Sequence, residues 1–514
     1  MARVMLLLLS LALHSSMSNG AKIGMVSMFG RSHFIVLEKL ALEMRARGHE
    51  VVIAVGKEAT FAKEKPYSRL FKYTERMSVL MNERGEKRDH LSSPVQNPIT
   101  LMRNLVEMQV NYCDSILTDP SVMAVLQTAD LIIGDSLYPC GTLIADMLSL
   151  PHINVIMSPD LSVPVSEMYG IPTSPMSYVP QMGTGLTADM GVFGRLKNIA
   201  FYTVSSFIRN FLFYPMYDEL KASHKIKPSK TIRESLMSVE LLLFAADFVL
   251  VHTKPLPPYV KEVGFFMPSP SKPLPAELDH FMRESGEKGV ILVSFGTAIN
   301  TLDPAVIEMM SKAFAQLPHK IIWRVYPGNY PKSVSDNVKL VEWVPQNDIL
   351  GHNNTKLFIN HGGANGMAET AYHGVPVVCS PFFADQPDNS NLLKNAGMGE
   401  IVRVNTATAE ELVRVVTKVI NDDSYKTNGA RVSRAMKSRP REPVKEAADF
   451  VEYVLAQGHL PHLKPRSLAM PFYQVYMLDV MAVIGAVILV FIALIKTLVQ
   501  LISRACSPKK LKSA

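Results

Sequence analysis

A His-Gly-Gly turn at residues 361–363 has the surroundings of a phosphate- and ribose-binding site. An apolar run precedes it and a helical pattern follows, so the turn is predicted to join a buried strand to a helix N-terminus. Glycines let an anion approach the backbone, and the helix start offers free N–H groups and the positive end of a dipole. His361 and Asn365 can donate to phosphate oxygens. Glu369, one helical turn after Asn365, can accept both hydroxyls of a ribose.

Three further side chains near this turn suit a nucleotide sugar. Trp343 is predicted to lie at the end of a strand, Leu340–Val344, and offers a stacking face for a base. Asp385 and Gln386 follow a predicted strand at Val375–Cys379, where a carboxylate and an amide can bind sugar hydroxyls. Each feature alone is weak, because a His-Gly-Gly turn is often only a turn and a single Trp is more often core. Their order and spacing together predict a nucleotide-sugar site.

The N-terminal half contains a candidate acid–base pair. His33 lies at the start of the first predicted helix, and a neutral imidazole can take a proton from a hydroxyl near neutral pH. Asp135 ends another predicted strand, from which it can orient the ring and stabilise the imidazolium. The alternatives are a solvent-exposed helix residue for His33 and a strand-end cap for Asp135.

The elements that must position these residues form two α/β halves. The first strand, Lys22–Val26, precedes an apolar 3.6-residue periodicity that stops at Gly48, and an all-apolar strand follows. Seven prolines between Lys254 and Pro275 predict a linker without regular elements, and the strand–helix alternation restarts after it at Val290–Ser294. Buried parallel strands alternating with helices predict an α/β fold of two Rossmann-like domains that face each other across a cleft.

The two ends of the chain carry targeting patterns. Arg3, a short apolar run and small residues up to Ala21 predict a cleaved signal peptide, with a buried first strand as the alternative. Val480–Ile495 is continuously apolar, and with its extension to Ile502 it predicts a transmembrane helix, with a buried core helix as the alternative. The basic residues beyond it predict a cytosolic tail, and hence a single-pass type I protein with its body outside the cytosol.

The predicted organisation of the 514 residues can be given as seven segments. They are a signal peptide (1–20), a first Rossmann-like domain (21–250), a proline-rich linker (251–285), a second Rossmann-like domain (286–440), a helical return segment (441–475), a transmembrane helix (476–502) and a cytosolic basic tail (503–514).

Composition limits the other functions. The formal net charge of +7 is mild for this length and no basic stripe interleaves with aromatics, so nucleic acid is not an expected partner. The four cysteines have no metal-ligand spacing and require no disulfide, although a secreted compartment would permit one. Asn353 begins an Asn-Asn-Thr sequon and is a candidate glycosylation site. The last five residues, Lys-Leu-Lys-Ser-Ala, resemble an endoplasmic reticulum retrieval signal, with a plain basic tail as the alternative.

The segment from Trp343 to Asn389 closely resembles the signature of the UDP-glycosyltransferase family, which includes the UDP-glucuronosyltransferases. The matching motifs, in order, are WVPQND, GH, HGGANG, YHGVP and FADQPDN. The resemblance extends to SerHisPhe near the start, ProCysGly after Asp135, and the two chain ends. It implies a GT-B fold in which the C-terminal half binds a UDP-sugar and the N-terminal half binds the acceptor, in a protein of the endoplasmic reticulum membrane with a lumenal body.

The family's site residues carry over to matching positions. The resemblance implies that Trp343 stacks on uracil, Gln346 lies by the base and ribose, and Glu369 binds the ribose. It places His361, Gly363 and Asn365 at the diphosphate, Asp385 and Gln386 at the sugar, and a His and an Asp at the positions of His33 and Asp135. Ser294 and Thr297 match the phosphate-side loop, where Thr replaces the usual Ser.

These features predict an inverting transfer from a UDP-sugar to a small lipophilic hydroxyl-bearing acceptor, with no cofactor beyond the UDP-sugar co-substrate. No Asp-x-Asp pair occurs, so we expect no metal, and the helix N-terminus, His361 and Asn365 must stabilise the leaving UDP. The donor remains open among UDP-glucuronate, UDP-glucose and UDP-N-acetylglucosamine. Two other classes are weighed: a non-catalytic nucleotide-sugar-binding protein, and a pyridoxal-dependent phosphorylase, which fits poorly with the targeting patterns.

Overall fold

The computed structural model describes residues 20–87, 98–157, 163–171, 176–296, 299 and 302–505. The predicted signal peptide, Thr297 and the last residues of the basic tail lie outside this range. The chain forms two compact units, Met1–Leu460 and Pro461–Ala514. The first unit contains both sheets and all the candidate site residues that the structure describes.

The first half is built on a sheet of seven parallel strands in the order β3-β2-β1-β4-β5-β6-β7. Their bounds are β1 Lys22–Val26, β2 Glu50–Gly56, β3 Ser68–Phe71, β4 Leu131–Asp135, β5 His152–Ile156, β6 Leu241–Phe244 and β7 Val260–Glu262. Because helices cover both faces, the central strands are mostly apolar and not alternately polar, whereas the edge strands β3 and β7 include charged residues. Met25, Ile53 and Ile133, on three adjacent strands, are completely buried.

Nine helices accompany this sheet in the described residues. They are α1 Arg31–Ala46, α2 Glu75–Lys87, α3 Pro98–Thr118, α4 Pro120–Leu126, α5 Cys140–Leu148, α6 Val163–Met168, α7 Val192–Ile208, α8 Tyr214–Ser223 and α9 Ile232–Met237. A π-helical turn, Arg209–Phe213, joins α7 to α8. The first helix buries the predicted apolar face, and Gly48 after it adopts a φ of 93°, a left-handed conformation that glycine tolerates.

The second half has six parallel strands in the order β10-β9-β8-β11-β12-β13. They are β8 Val290–Ser294, β9 Lys320–Arg324, β10 Val338–Val341, β11 Thr355–Asn360, β12 Val377–Cys379 and β13 Gly399–Ile401. The helices of this half are α10 Ala276–Arg283, α11 Pro304–Phe314, α12 Gln346–Leu350, α13 Ala364–His373, α14 Gln386–Asn395, α15 Ala409–Asn421 and α16 Asp423–Lys437. Thr408 caps α15, its hydroxyl accepting from the Glu411 N–H.

Two local predictions are wrong. The proline-rich stretch was expected to contain no regular element, yet β7 lies inside it and pairs with β6, and α10 lies in the same predicted linker. Residues 259–267 contain no proline, and a three-residue edge strand needs few ladder hydrogen bonds. The strand expected at Leu340–Val344 ends at Val341, so Trp343 follows it in a loop.

After α16 the chain returns to the first half. Helix α17, Pro443–Gln457, packs against α1, and the Arg47 guanidinium donates to Asp449 and Glu452 at 2.8 and 2.7 Å. Further along, Glu240 accepts from the Leu460 backbone N–H at 2.8 Å. The last residues of the first unit are therefore fixed to the half of the molecule that contains its beginning.

The second unit contains the short helix α18, Phe472–Val475, and the long helix α19, Leu478–Ala505. Within Leu478–Arg504 the most apolar 18-residue window has a mean hydropathy of 2.9, and none of that window is buried. By length and composition this helix can cross a membrane.

Candidate active site

The structure brings His33 and Asp135 into direct contact. Strands β1 and β4 are neighbours in the sheet, so the start of α1, which follows β1, lies beside the end of β4. His33 Nδ1 is 2.5 Å from Asp135 Oδ2, and Asp135 is completely buried. The other carboxylate oxygen accepts from the Leu137 backbone N–H at 3.0 Å, which fixes its orientation. With Nδ1 engaged in this way, Nε2 is the nitrogen left to meet a substrate.

The surroundings of His33 favour its protonated form. Burial alone would lower the pKa of His33, but the Asp135 carboxylate, its hydrogen bond and the charge of Asp385 together raise it above the ordinary value. Asp385 belongs to the second half, so its electrostatic effect on His33 acts between the two halves. A fifth of the His33 side chain, 20%, remains open to solvent. The ring is therefore reachable as well as oriented.

The His-Gly-Gly turn lies where β8 and β11 end. Ser294 and Asn360 are register partners at the last position of these two strands. Asn360 Oδ1 accepts from the Gly362 backbone N–H at 2.8 Å, and Gly362 has a φ of 77°. A Cβ added at Gly363 would lie 2.5 Å from His361 Nε2, so only glycine fits beside the ring.

Helix α13 begins at Ala364 directly after this turn. Its N-cap is Gly363, which provides no side-chain cap, so the N–H groups of the first turn are available to a ligand. Asn365 lies in this turn and is half-buried. Burial and the nearby Arg324 lower the pKa of His361 to about 4, so its ring is neutral at physiological pH and donates through one N–H. This geometry suits an anion held at a helix N-terminus.

Glu369 lies one turn along α13 and is joined to Gln346 at the start of α12. Gln346 Nε2 donates to Glu369 Oε2 at 2.5 Å. Burial raises the pKa of Glu369 to about 7, although the bond from Gln346 opposes this, and the charge of Lys39 in α1 opposes it further. Trp343 lies near the start of α12 with 61% of its surface exposed, so it is an open platform and not part of the core.

The loop with Asp385 and Gln386 is bonded to the His-Gly-Gly turn. Asn389 Nδ2 donates both to Asp385 Oδ2 and to the Gly362 carbonyl oxygen, each at 2.8 Å. Burial raises the pKa of Asp385, although the bond from Asn389 opposes this. Ala384, just before it, has a φ of 55°, a left-handed conformation that costs a non-glycine residue about 1 kcal/mol. The contact network holds this conformation in place.

The Gln386 side chain is folded into its own loop. Its Oε1 accepts from the backbone N–H groups of Phe382 and Phe383 at 2.9 and 3.3 Å, and the residue is 3% exposed. The carbonyl end therefore shapes the loop, and only the amide NH₂ end remains to reach a sugar.

Several buried polar atoms at the edge of the second sheet have no hydrogen-bond partner within the part of the chain that the structure describes. They are Ser294 Oγ, Asn360 Nδ2, His361 Nδ1 and Asn389 Oδ1. Buried polar groups are normally satisfied, so a cluster of unsatisfied ones is typical of a site that awaits a polar ligand.

Three residues that the sequence analysis did not single out help to build this site. Asn360 and Asn389 hold the turn, as described above. Arg324, at the end of β9, donates to the Gly296 carbonyl oxygen at 2.7 Å and faces His361. Asn360 could have been found from its place at the end of a buried strand, whereas Arg324 becomes evident only from the strand order.

The match to known proteins covers nearly the whole chain. Residues 22–513 match the profile of the family described as UDP-glucoronosyl and UDP-glucosyl transferase. The mouse UDP-glucuronosyltransferase 1-2 (Mus musculus) is 31% identical over 93% of this chain and 90% of its own length. The mouse 2-hydroxyacylsphingosine 1-beta-galactosyltransferase (Mus musculus) is likewise 31% identical, over 90% of this chain and 85% of its own length.

Solved structures show the same fold. The glycosyltransferase of kitacinnamycin aligns with a TM-score of 0.61 at 20% identity, covering 85% of this chain and 99% of that structure. The calicheamicin glycosyltransferase CalG4 aligns with a TM-score of 0.58 at 16% identity and the same coverage. These neighbours and the two parallel sheets make the fold GT-B. Because the family profile matches nearly the entire chain, the chain belongs to the UDP-glucuronosyl and UDP-glucosyl transferase family and is a UDP-dependent glycosyltransferase.

Proposed function

We propose that the protein transfers a hexosyl or glucuronosyl group from a UDP-sugar to the hydroxyl of a small lipophilic acceptor, with inversion and His33 as general base. The observation that carries the proposal is the 2.5 Å contact between His33 and the buried Asp135. The acceptor O–H gives its proton to His33 Nε2 while its oxygen attacks the anomeric carbon. Asp135 stabilises the resulting imidazolium. The bond from the anomeric carbon to UDP breaks on the opposite face.

The leaving diphosphate takes up negative charge where the second half offers donors. In the proposal the open N–H groups at the start of α13, the neutral His361 and Asn365 bind the phosphates, and Ser294 and Thr297 complete that side; the uncapped helix start and the low pKa of His361 support this. Such preorganised donors stabilise a leaving anion without a metal. Trp343 and Gln346 hold the uracil, Glu369 holds the ribose, and Asp385 and Gln386 hold the sugar.

The donor sugar is the least constrained part of the proposal. The two relatives described above are named for glucuronosyl and galactosyl transfer. Lys254, near the start of the linker, is a buried cation, 5% exposed. A Lys carries a positive charge but lacks the planar fork of Arg that suits a carboxylate. We therefore expect UDP-glucuronate to be accepted but not exclusively, with UDP-glucose as the leading competitor.

Turnover with a phenolic acceptor tests the activity. The enzyme is incubated with UDP-glucuronate, UDP-glucose, UDP-galactose and UDP-N-acetylglucosamine in turn, and the anomeric configuration of the product is determined by NMR. An inverted product supports the proposal. UDP binding without turnover of any donor would favour the non-catalytic alternative. A preference for UDP-glucuronate above about a thousandfold, or ~4 kcal/mol, would mean that a cation other than Lys254 reads the carboxylate.

The proposed location is the endoplasmic reticulum membrane, with the body lumenal and the basic tail cytosolic. Two observations support a body outside the cytosol. The chain contains the apolar helix α19, and Cys113 and Cys140 form a disulfide, a bond that persists in oxidising compartments. Asn353 is exposed in the turn before β11, so a glycan can be attached there. A mass shift on deglycosylation of the secretory-pathway protein, absent in Asn353→Gln, tests this location.

A further inference from the structure

Gln109, on α3, bonds to the loop that leads to His33 and to the loop that follows Asp135. The residue is 4% exposed, and its Nε2 donates to the Leu137 carbonyl oxygen at 3.0 Å. The same nitrogen is 3.3 Å from Met28 Sδ, so the thioether sulfur is a second, weaker acceptor. Leu137 follows β4, and Met28 follows β1. One buried amide therefore joins the loops after these two neighbouring strands.

The orientation of this amide is determined by its neighbours. A carbonyl oxygen and a thioether sulfur can only accept hydrogen bonds, so the end of the amide that meets both must be the NH₂ group. The other end, Gln109 Oε1, faces the hydroxyl of the buried Tyr217 at 3.5 Å. Position 109 therefore calls for a side chain with a donor at one end, which neither Met nor an ionised Glu provides.

Both loops lead directly to the proposed acid–base pair. The Leu137 N–H donates to Asp135 Oδ1 at 3.0 Å, so the residue that orients the carboxylate is itself held by Gln109. Met28 lies five residues before His33, in the segment that joins β1 to α1. The 2.5 Å contact between His33 and Asp135 therefore depends on the separation of two loops, and Gln109 bonds to both of them.

The helix that carries Gln109 is held at two further points. Cys113 lies one helical turn after Gln109 and on the same face of α3. Its disulfide to Cys140 joins this face to the start of α5, which follows the loop after β4. The Gly56 N–H donates to Tyr112 Oη at 2.8 Å, which anchors α3 to the end of β2. The amide therefore projects from a helix whose place beside the two loops is fixed.

We propose that Gln109 is a positioning residue for the transfer reaction. It holds the loops after β1 and β4 at the separation at which His33 meets Asp135 and the His33 Nε2 atom faces the acceptor. This inference rests on the proposed function, because it takes His33 as the base. Gln109 acts through the orientation of the pair and binds neither donor nor acceptor. Turnover depends steeply on this orientation, since small displacements of a reacting group are costly.

The test is a double-mutant cycle in the full-length protein, with a UDP-sugar and a phenolic acceptor. Gln109→Met keeps the length of the side chain and removes the donor, so we expect kcat to fall by about ten- to a hundredfold. UDP affinity should stay unchanged, because the proposed UDP contacts lie in the second half. In the His33→Ala background there is no base to position, so the same substitution should change the residual rate by less than about twofold.

A purely structural role of Gln109 predicts a different result from the cycle. The substitution would then lower the rate by the same factor in both backgrounds, and this outcome would overturn the proposal. An unchanged kcat of Gln109→Met in the otherwise wild-type chain would overturn it as well.

The pH profile is a second measurement, which a general loss of stability would not move. Burial lowers the pKa of His33, whereas Asp135 and Asp385 raise it. Loosening the contact with Asp135 lowers this pKa, so the rising limb of kcat/KM should move to lower pH in Gln109→Met. The acceptor is the same for both proteins, so its own ionisation cancels in the comparison. A limb at the wild-type pH would contradict a role through the pair.

The matched control is Asn111→Leu, which also replaces an amide by an apolar side chain on α3. Asn111 donates to the Glu107 carbonyl oxygen of its own helix at 2.8 Å, so this variant should keep the wild-type kcat and pH profile. Losses in Asn111→Leu equal to those in Gln109→Met would overturn the proposal, because any change on α3 would then have the same effect.

Met28→Leu tests the loop after β1 with little change of volume, and it carries the test if Gln109→Met does not fold. It removes one weak acceptor, so kcat should fall by roughly two- to threefold, and only when His33 is present. A wild-type rate in Met28→Leu would overturn the proposed link between the loops. Full activity of His33→Ala alone would instead contradict the proposed function, so the two failures are distinguishable.

Discussion

At the scale of single residues, His33 is the group whose removal should separate chemistry from donor binding. His33→Ala deletes the proposed base, and loss of a general base typically lowers turnover about a hundred- to ten-thousandfold. UDP affinity should change little, because the proposed contacts with the phosphates, the ribose and the uracil all lie in the second half. Initial rates and calorimetric titration with UDP measure the two effects. A variant that retains more than half of the wild-type rate would remove His33 from the mechanism.

Glu369 should make UDP binding depend on pH. Its pKa is raised to about 7 in the free site, and only the ionised carboxylate can accept both ribose hydroxyls. As the pH falls through this value the site must release a proton before it binds, so UDP affinity should be about tenfold weaker at pH 6 than at pH 8. Calorimetry across this range measures the dependence.

The control is Glu369→Gln, in which residue 369 no longer titrates while the UDP phosphate still does. This variant should bind more weakly at high pH by roughly 1.5–3 kcal/mol, and its pH dependence should be shallower than that of the wild type. Coincident pH profiles for the two proteins would exclude Glu369 from the ribose site.

Much of the candidate site could be predicted from residue types and spacing, because it lies on one continuous segment. Asn365 and Glu369 share a helix face because they are four residues apart. A glycine-rich turn before a helix indicates an anion-binding site. The contact between Ser294 and Asn360 could not be predicted in the same way, since it depends on the register of two strands. The electrostatic interaction of Asp385 with His33 joins residues of the two halves that are far apart in sequence, and no local pattern records it.

At the scale of elements, the disulfide joins α3 to the start of α5, shortly after Asp135. Cys113 and Cys140 are 27 residues apart in sequence, and closing a loop of that length in the unfolded chain is expected to stabilise the fold by roughly 3–4 kcal/mol. A reducing agent should therefore lower the melting temperature of the wild-type protein and leave that of Cys113→Ala/Cys140→Ala unchanged. Cys379→Ala, which removes the buried free thiol, should keep the wild-type response. An unchanged melting temperature of the reduced wild type would argue against a stabilising bond.

The sequence left this bond open because cysteine spacing alone gives no connectivity. Pairing requires α3 to pack beside the loop after β4, a tertiary contact between helices. Strands such as β1 and β8 were predictable at nearly residue precision, since parallel strands buried on both faces form continuous apolar runs. Strand β7 was missed because its three residues lie among prolines and too few apolar positions distinguish it from a loop.

At the scale of the whole molecule, the two halves are joined by a chain that crosses between them twice. The proline-rich stretch carries the chain from the first half to the second, and α17 carries it back. Arg47 and Asp449, which meet in this return, are 402 residues apart in sequence. The docking of α17 on the first half is a property of the assembled fold, so the sequence predicted a helical return segment but not its partners.

The residue that fixes this return is Arg439, between α16 and α17. Its guanidinium donates to Asp247 at 3.1 Å, Glu262 at 2.8 Å and Glu446 at 3.3 Å, and 17% of the side chain is exposed. The first two carboxylates belong to the first half, so Arg439 ties the end of the second domain to it. Breaking a largely buried ion pair from one side leaves the partner charge uncompensated.

Arg439→Met should therefore lower the free energy of unfolding by about 3 kcal/mol at neutral pH, and by less in mild acid. Burial raises the pKa of Glu262, and Arg439 opposes that rise, so removing the guanidinium raises it further. A carboxyl whose folded pKa exceeds its unfolded value loses stability as the pH rises through the folded pKa, so the variant should become less stable as the pH rises above the ordinary carboxyl range. Thermal unfolding from mild acid to neutral pH measures the trend.

The control is Arg441→Met, which removes a half-exposed partner of Asp449. This variant should change stability by no more than about 1 kcal/mol at any pH. If both variants lost the same small amount, the two halves would be held together by packing and not by the Arg439 cluster.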